Sequence, residues 1–136
     1  MMSKTIKIEM NEDQAMLIKN ALDFYSRILM GQWKNIEQLI TTIDPHVLEQ
    51  NSEMDFKSAE AHLSCAREIL MPRLDSGNLN SSLGITNSYE PAKKAYELLK
   101  WIQHAIHKAN NFESSFSNEI KLTDQPKPKI DVIEND

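Results

Sequence analysis

The chain has 136 residues, enough for one domain, and its 40% hydrophobic and 26% charged residues fit a globular protein and argue against a disordered one. Its 15 Lys and Arg against 20 Asp and Glu leave a net charge of -5, which opposes the attraction that non-specific nucleic-acid binding relies on. A single cysteine, Cys65, excludes an internal disulfide, and no run approaches the roughly 18 apolar residues that would cross a bilayer.

The opening stretch MMSKTIKIEM lacks the apolar core of a signal peptide, so a cytoplasmic location is expected. Within it, Ile6, Ile8 and Met10 alternate with Lys7 and Glu9, the period-two pattern of a short half-buried strand over Thr5 to Met10. Asn11 then stands as a helix N-cap with Gln14 three residues on, a capping-box pattern, and Glu12 and Asp13 suit the positive end of the helix dipole.

The stretch Asn11 to Trp33 organises the rest. Leu17, Ala21, Phe24 and Ile28 form one stripe at helical spacing, and Ile18, Leu22, Tyr25 and Leu29 form a second beside it. Two adjacent stripes predict a helix buried over more than half its circumference. Its narrow polar side holds Asp23 and Arg27, four apart and able to pair. Gly31 predicts a C-terminal turn or a kink.

Trp33, Ile36, Leu39, Ile40 and Ile43 continue at helical spacing, as a continuation past a bend or as a second short helix. Asp44 and Pro45 mark a boundary and start a short helical connector through Val47 and Leu48. Asp55 is expected to cap a further helix with the stripe Phe56, Ala59, Leu63, Ala66 and Leu70, which Pro72 ends or kinks. Asp75 to Ser88 is rich in Gly, Asn and Ser and reads as a long loop anchored by Leu79, Leu83 and Ile85.

Ser88 and Pro91 introduce the last helix, through about Ala109, with Ala92, Ala95, Leu99, Ile102 and Ile106 at the centre of its buried face. The tail holds two extended pieces, Glu119 to Leu122 and Lys129 to Ile133, separated by Pro126 and Pro128, of which one is expected to pair with the N-terminal strand. The expected fold is therefore mainly α (α+β): a single domain over residues 1–136, of about three to four helices with short β-strands at both termini. Residues 117–136 form an extended arm or edge strand in this reading.

Candidate sites stand beside plainer readings. His104 and His107 are three apart in WIQHAIH, a spacing that lets two imidazoles approach one metal ion, and His62 and Cys65 repeat that spacing on the preceding helix. No acidic ExxH pattern accompanies either pair, and both lie at or beyond the edge of their helix's apolar stripe, so a solvated or partner-facing role is favoured and neither metal nor cofactor is expected. The chain has no glycine-rich phosphate loop, no GxSxG and no HExxH, which weighs against an enzyme. A constellation of Tyr25, Arg27, Gln32 and Trp33 at the end of the central helix, with Trp101, His104 and His107 from the last, joins a guanidinium to aromatic rings. That combination serves an interface hot spot, and equally a pocket for a nucleotide-like anion. The plainer alternative is that Asp23 pairs with Arg27 and the tryptophans fill the core.

At ALDFYSRILMGQW, Ala21 to Trp33, the sequence resembles small uncharacterised proteins of tailed bacteriophages and prophages that carry an A-L-D-x-Y-S-R-I-x-x-G-Q helix. A second stretch, SSLGITNSYEPAKKAYELLKWIQHAIH over Ser81 to His107, is similar to their later part, a Gly-Ile loop before an alanine-tyrosine helix. This chain departs at Gln103, where arginine is expected, and at Trp33, where phenylalanine is usual. The resemblance implies a phage or mobile-element origin and expression in a bacterial host cytoplasm, and it carries no activity.

Two functions follow as expectations. The first is a non-enzymatic accessory protein acting by protein-protein binding, as a homodimer or small homo-oligomer and against a host protein, because the apolar stripes exceed what a few modest helices bury alone. The second is a small-ligand binder that sequesters a nucleotide signal of bacterial immunity, with Arg27 unpaired and turned into a pocket.

Overall fold

A computed structural model describes residues 4–74, 78–110 and 120–133. Among them lie five helices in chain order: α1 (Glu12–Met30), α2 (Lys34–Ile43), α3 (His46–Gln50), α4 (Glu53–Leu70) and α5 (Glu90–Ala109), with one 3-10 turn (Ile85–Asn87). The fold is mainly helical.

The start of α1 follows its sequence signal closely. The Asn11 side chain accepts from the Gln14 N–H at 2.8 Å and the Gln14 side chain accepts from the Asn11 N–H at 3.0 Å, so two donors left over at the helix start are satisfied reciprocally. At the other end Gly31 takes φ 100°, a left-handed cap whose N–H reaches back to the carbonyl of Ile28. There the chain turns, and α2 begins as a separate short helix at Lys34.

α1 and α5 form the main antiparallel pair. Asn110, just past α5, donates through Nδ2 to Glu12 Oε1 at 2.7 Å, while the Leu83 N–H, shortly before α5, donates to the Met30 carbonyl at 2.9 Å. Each helix end thus lies beside the opposite end of its neighbour. The predicted centre of α5 is the core: Ala92, Ala95, Leu99 and Ile106 are buried, joined by Trp101, while Ile102 is half-buried.

The expectation for α1 needs correction. Only Ser26 and Met30 are buried in it, whereas Leu17 is 70% exposed and Ala21 and Tyr25 also face outward. The sequence pattern marks two stripes, but α5 is the one long helix packed against α1 and covers one side of it.

α4 begins three residues earlier than Asp55 as a cap suggests. Ser52 is the N-cap, its Oγ accepting from the Asp55 N–H at 3.2 Å, and Asp55 returns the bond by accepting from the Ser52 N–H at 2.8 Å. Asp55 thus closes the capping box from inside the helix, an aspartate taking the place usually held by glutamate. α4 ends at Leu70, ahead of Pro72, as expected.

No β-strand occurs among the described residues, which corrects the strands expected at the termini. Residues 4–11 are extended or irregular, and Ile6 and Ile8 are exposed along them. A short alternating segment becomes a strand only where a second strand offers its hydrogen-bonding edge. Of the first tail piece, Glu119 lies outside the described residues. Residues 120–133 run as an extended arm, and the part at Leu122 and Thr123 is held by α5 instead of the N-terminus. In the loop expected from Asp75 to Ser88, residues 75–77 also lie outside the described ones. Leu79 is buried there, and its carbonyl accepts from the Trp33 N–H at 3.1 Å.

Candidate functional site

The seven residues singled out in the sequence fall into two groups. Tyr25, Arg27, Gln32 and Trp33 surround the end of α1. Arg27 Nε donates to Asp23 Oδ2 at 3.0 Å and its Nη1 donates to Gln32 Oε1 at 3.3 Å, so the guanidinium is held by the outer side of its own helix and the turn that follows. Trp33 donates through Nε1 to the Ile28 carbonyl at 3.0 Å, a second donor on a carbonyl that the Gly31 N–H also reaches. Tyr25 is exposed.

Trp101, His104 and His107 sit on α5. Because α5 runs against α1 with Asn110 level with Glu12, Trp101 lies beside the middle of α1 and His107 near its start. At 1.5 Å per residue, Arg27 and His107 are about 18 Å apart along the helix pair. The structure does not join the two groups in one pocket. Trp101 is 8% exposed, and its ring is covered by Lys127 of the arm, whose Nζ lies 4.5 Å from the ring centroid. Its indole Nε1 is buried with no hydrogen-bond partner among the described residues.

His104 and His107 are half-buried. His62 donates through Nδ1 to the Ser58 carbonyl of its own helix at 2.7 Å, and Cys65 is exposed. Among the described residues no group of three or more His, Cys, Asp or Glu side chains is placed to hold a metal ion.

Two charged residues that sequence reasoning missed are the most enclosed ionisable groups described. Arg67, on α4, is 1% exposed, and its Nη1 donates to the Gly31 carbonyl at 2.9 Å. No carboxylate pairs with it among the described residues. It stands one residue after Ala66 of the predicted stripe, so its long stem extends the apolar face while its head closes the Gly31 turn. Helical periodicity counts only apolar residues and passes over it.

Glu97, on α5, is 3% exposed. Its Oε2 accepts from the backbone N–H groups of Leu122 at 2.6 Å and Thr123 at 2.8 Å; its Oε1 accepts from Thr123 Oγ1 at 3.3 Å and lies 3.5 Å from Lys121 Nζ. Burial pushes this carboxyl up, but the donors from Leu122 and Thr123 and the charge of Lys121 together hold it below its ordinary value. One carboxylate therefore fastens the arm to the face of α5 that also carries Trp101, one helical turn further on.

Two shallow clefts are present, one against α4 and one in the segment that follows it. In one, of about 580 Å³, Lys34 bridges Glu37 at 3.0 Å and Glu60 of α4. The Glu60 contact chiefly, then that of Glu37, raises the Lys34 pKa, and Lys34 in turn lowers that of Glu60. The other cleft, of about 550 Å³, is lined by Arg73, Ser81, Ser82 and Asn87, with Arg73 Nη2 already donating to the Asn87 carbonyl at 2.8 Å. In both, basic groups are committed to partners within the chain.

The larger feature is apolar. From Lys34 to Leu70, over α2, α3 and α4, no apolar side chain is buried, and Arg67 is the one buried residue. Leu39, Ile40 and Ile43 project from one face of α2 into solvent, Ile43 being 72% exposed, and Leu48, Met54, Ile69 and Leu70 add to them. Among the described residues no helix is long and apolar enough to cross a membrane.

No protein-family model, no curated protein and no solved structure matches the chain.

Proposed function

We propose that the chain is a non-enzymatic accessory protein of phage type that acts by protein-protein binding in the cytoplasm of a bacterial host, as a homodimer or small homo-oligomer and with a host protein as its target. The observation that carries this reading is the set of exposed apolar side chains on α2, α3 and the end of α4, beside a buried core drawn chiefly from one face of α5. Leu39, Ile40 and Ile43 share one side of α2, and clustered exposed apolar side chains of this kind mark association sites. The resemblance of Ala21 to Trp33 and Ser81 to His107 to phage proteins supports the setting.

The nucleotide-sequestering alternative calls for Arg27 turned into a pocket. Its guanidinium is instead held by Asp23 and Gln32, Lys34 of the cleft against α4 is paired with Glu37, and Arg73 of the other cleft donates to the Asn87 carbonyl. The geometry therefore favours the binding protein.

Native mass spectrometry of the gently purified protein tests the choice. Two or more subunits without added small-molecule mass are expected. A bare monomer would remove the proposal, and a retained small molecule would replace it with the sequestering role.

A further inference from the structure

The surface used for self-association can be located from what the chain leaves unfinished. α2 has 10 residues and α3 has 5, lengths at which a helix in water is held by its packing and hardly at all by its own hydrogen bonds. Yet the stretch from Lys34 to Leu70 buries no apolar side chain of its own. The apolar stripe of α2 runs through Ile36, Leu39, Ile40 and Ile43, of which the last three are exposed.

The area agrees. The chain exposes 10245 Å² of surface. A compact folded monomer of 15.6 kDa exposes about 7,200 Å² by the usual scaling with mass. The extended ends supply part of the excess of about 3,000 Å², but an obligate dimer interface begins at only about 1,000 Å² per partner.

We infer that the apolar face of α2 to α4 is closed by the same face of a second copy of this chain, packed antiparallel about a two-fold axis. The inference rests on the self-associating reading above and assigns its surface. A second copy is the occupant because closure of this face is a condition of stable folding. The covering surface must be available wherever the chain is made, and another copy of the chain meets that condition.

Charge selects the antiparallel arrangement. Where α2 turns through α3 into α4 the chain places Asp44, Glu49, Glu53 and Asp55, with Lys57 the one Lys or Arg between residues 44 and 57. At the opposite end of the same face, Lys34 and Arg73 offset two of the three charges of Glu37, Glu60 and Glu68, since Arg67 is buried at the Gly31 turn. A parallel pairing would bring two strongly acidic ends together, whereas an antiparallel one sets each beside an end that is nearly balanced.

The test is sedimentation of the full chain at micromolar concentrations, with circular dichroism on the same samples. Wild type is expected to be a dimer. Ile43→Glu, which puts a charge into the closed face, should weaken association on the order of a hundredfold, and Leu17→Glu, on the outer side of α1, should leave it unchanged. A dimer that resists Ile43→Glu and splits with Leu17→Glu overturns the assigned surface while leaving self-association standing; a wild-type monomer overturns both. Should Ile43→Glu fail to fold, hydrogen exchange on wild type decides. Amides of Leu39 to Ile43 should be protected and lose protection on dilution, and free exchange at a concentration where the protein is dimeric overturns the assignment. For the orientation, Gln50→Cys in a Cys65→Ser background should give no disulfide-linked dimer on oxidation, and a cross-linked dimer overturns the antiparallel arrangement.

Discussion

Gly31 does more at the residue scale than end a helix. Its carbonyl receives Arg67 Nη1 from α4, and the backbone around it makes room for the side chain of Leu74: a Cβ built at this position would lie 2.1 Å from Leu74 Cδ1 and 3.4 Å from the Ser81 carbonyl oxygen. The left-handed φ of 100° adds a second reason for glycine, since side chains at that angle meet their own backbone. Gly31→Ala should therefore lower stability by about 1–3 kcal/mol, read as a lower urea midpoint with unchanged slope. An unchanged midpoint would mean that the turn relaxes freely. Arg67 shows the reverse economy of a residue used for its shape. Enclosed with one carbonyl partner and no carboxylate, the guanidinium brings a desolvation cost, and what it contributes is the length that lets α4 reach the turn after α1.

The arm and α5 meet at Glu97 on the scale of whole elements. Two backbone N–H groups, a hydroxyl and a lysine converge on one buried carboxylate, so the docking of residues 120–133 depends on its charge. Glu97→Gln keeps the volume and removes the charge, and should cost about 1.5–3 kcal/mol of arm docking. In a Trp33→Phe background it should shift Trp101 emission to the red as Lys127 leaves the ring; unchanged emission would mean that other contacts fasten the arm. Acid should act in the same direction. The docked carboxyl lies below its ordinary value of 4.5 and returns to it once the arm leaves, so the contribution is complete above 4.5 and is lost as pH falls through the lower, docked value. A Trp101 red shift below pH 4.5 that Glu97→Gln abolishes is the expected signature. None of this was legible in the sequence, because a lone glutamate amid the apolar face of a helix carries no mark of the backbone that will reach it from 25 residues away. What was legible was local. The Asn11 to Gln14 capping box, the Gly31 turn, the Asp23 to Arg27 pair, the stop before Pro72 and the buried face of α5 all depend on residues within a turn or two of each other. The breadth of burial on α1, the pairing of the two ends and the separation of Arg27 from His107 depend on how elements meet, and periodicity does not encode that.

For the molecule as a whole, the small core and the bare face of α2 to α4 set how stability responds to concentration. If folding and association are one event, unfolding releases two chains from each dimer and its midpoint must rise with protein concentration. With about 0.7 kcal/mol of unfolding enthalpy per residue near 60 °C, a dimer of two such chains unfolds with roughly 190 kcal/mol. A tenfold increase in concentration adds about 1.4 kcal/mol per dimer, which at that enthalpy raises Tm by about 3 °C. Calorimetry at about 5, 50 and 500 μM, two decades in all, should therefore show two equal upward steps and a single transition at each concentration. A Tm independent of concentration would mean that the chain is stable alone with its apolar face in water. Two transitions, the lower one rising with concentration and the upper one fixed, would mean that the α1–α5 pair folds alone and that α2 to α4 order only on association. The numbers favour the single transition: Arg67 joins α4 to the Gly31 turn and Trp33 joins α2 to Ile28 and Leu79, so the association face and the core share backbone at the same corner and should melt together.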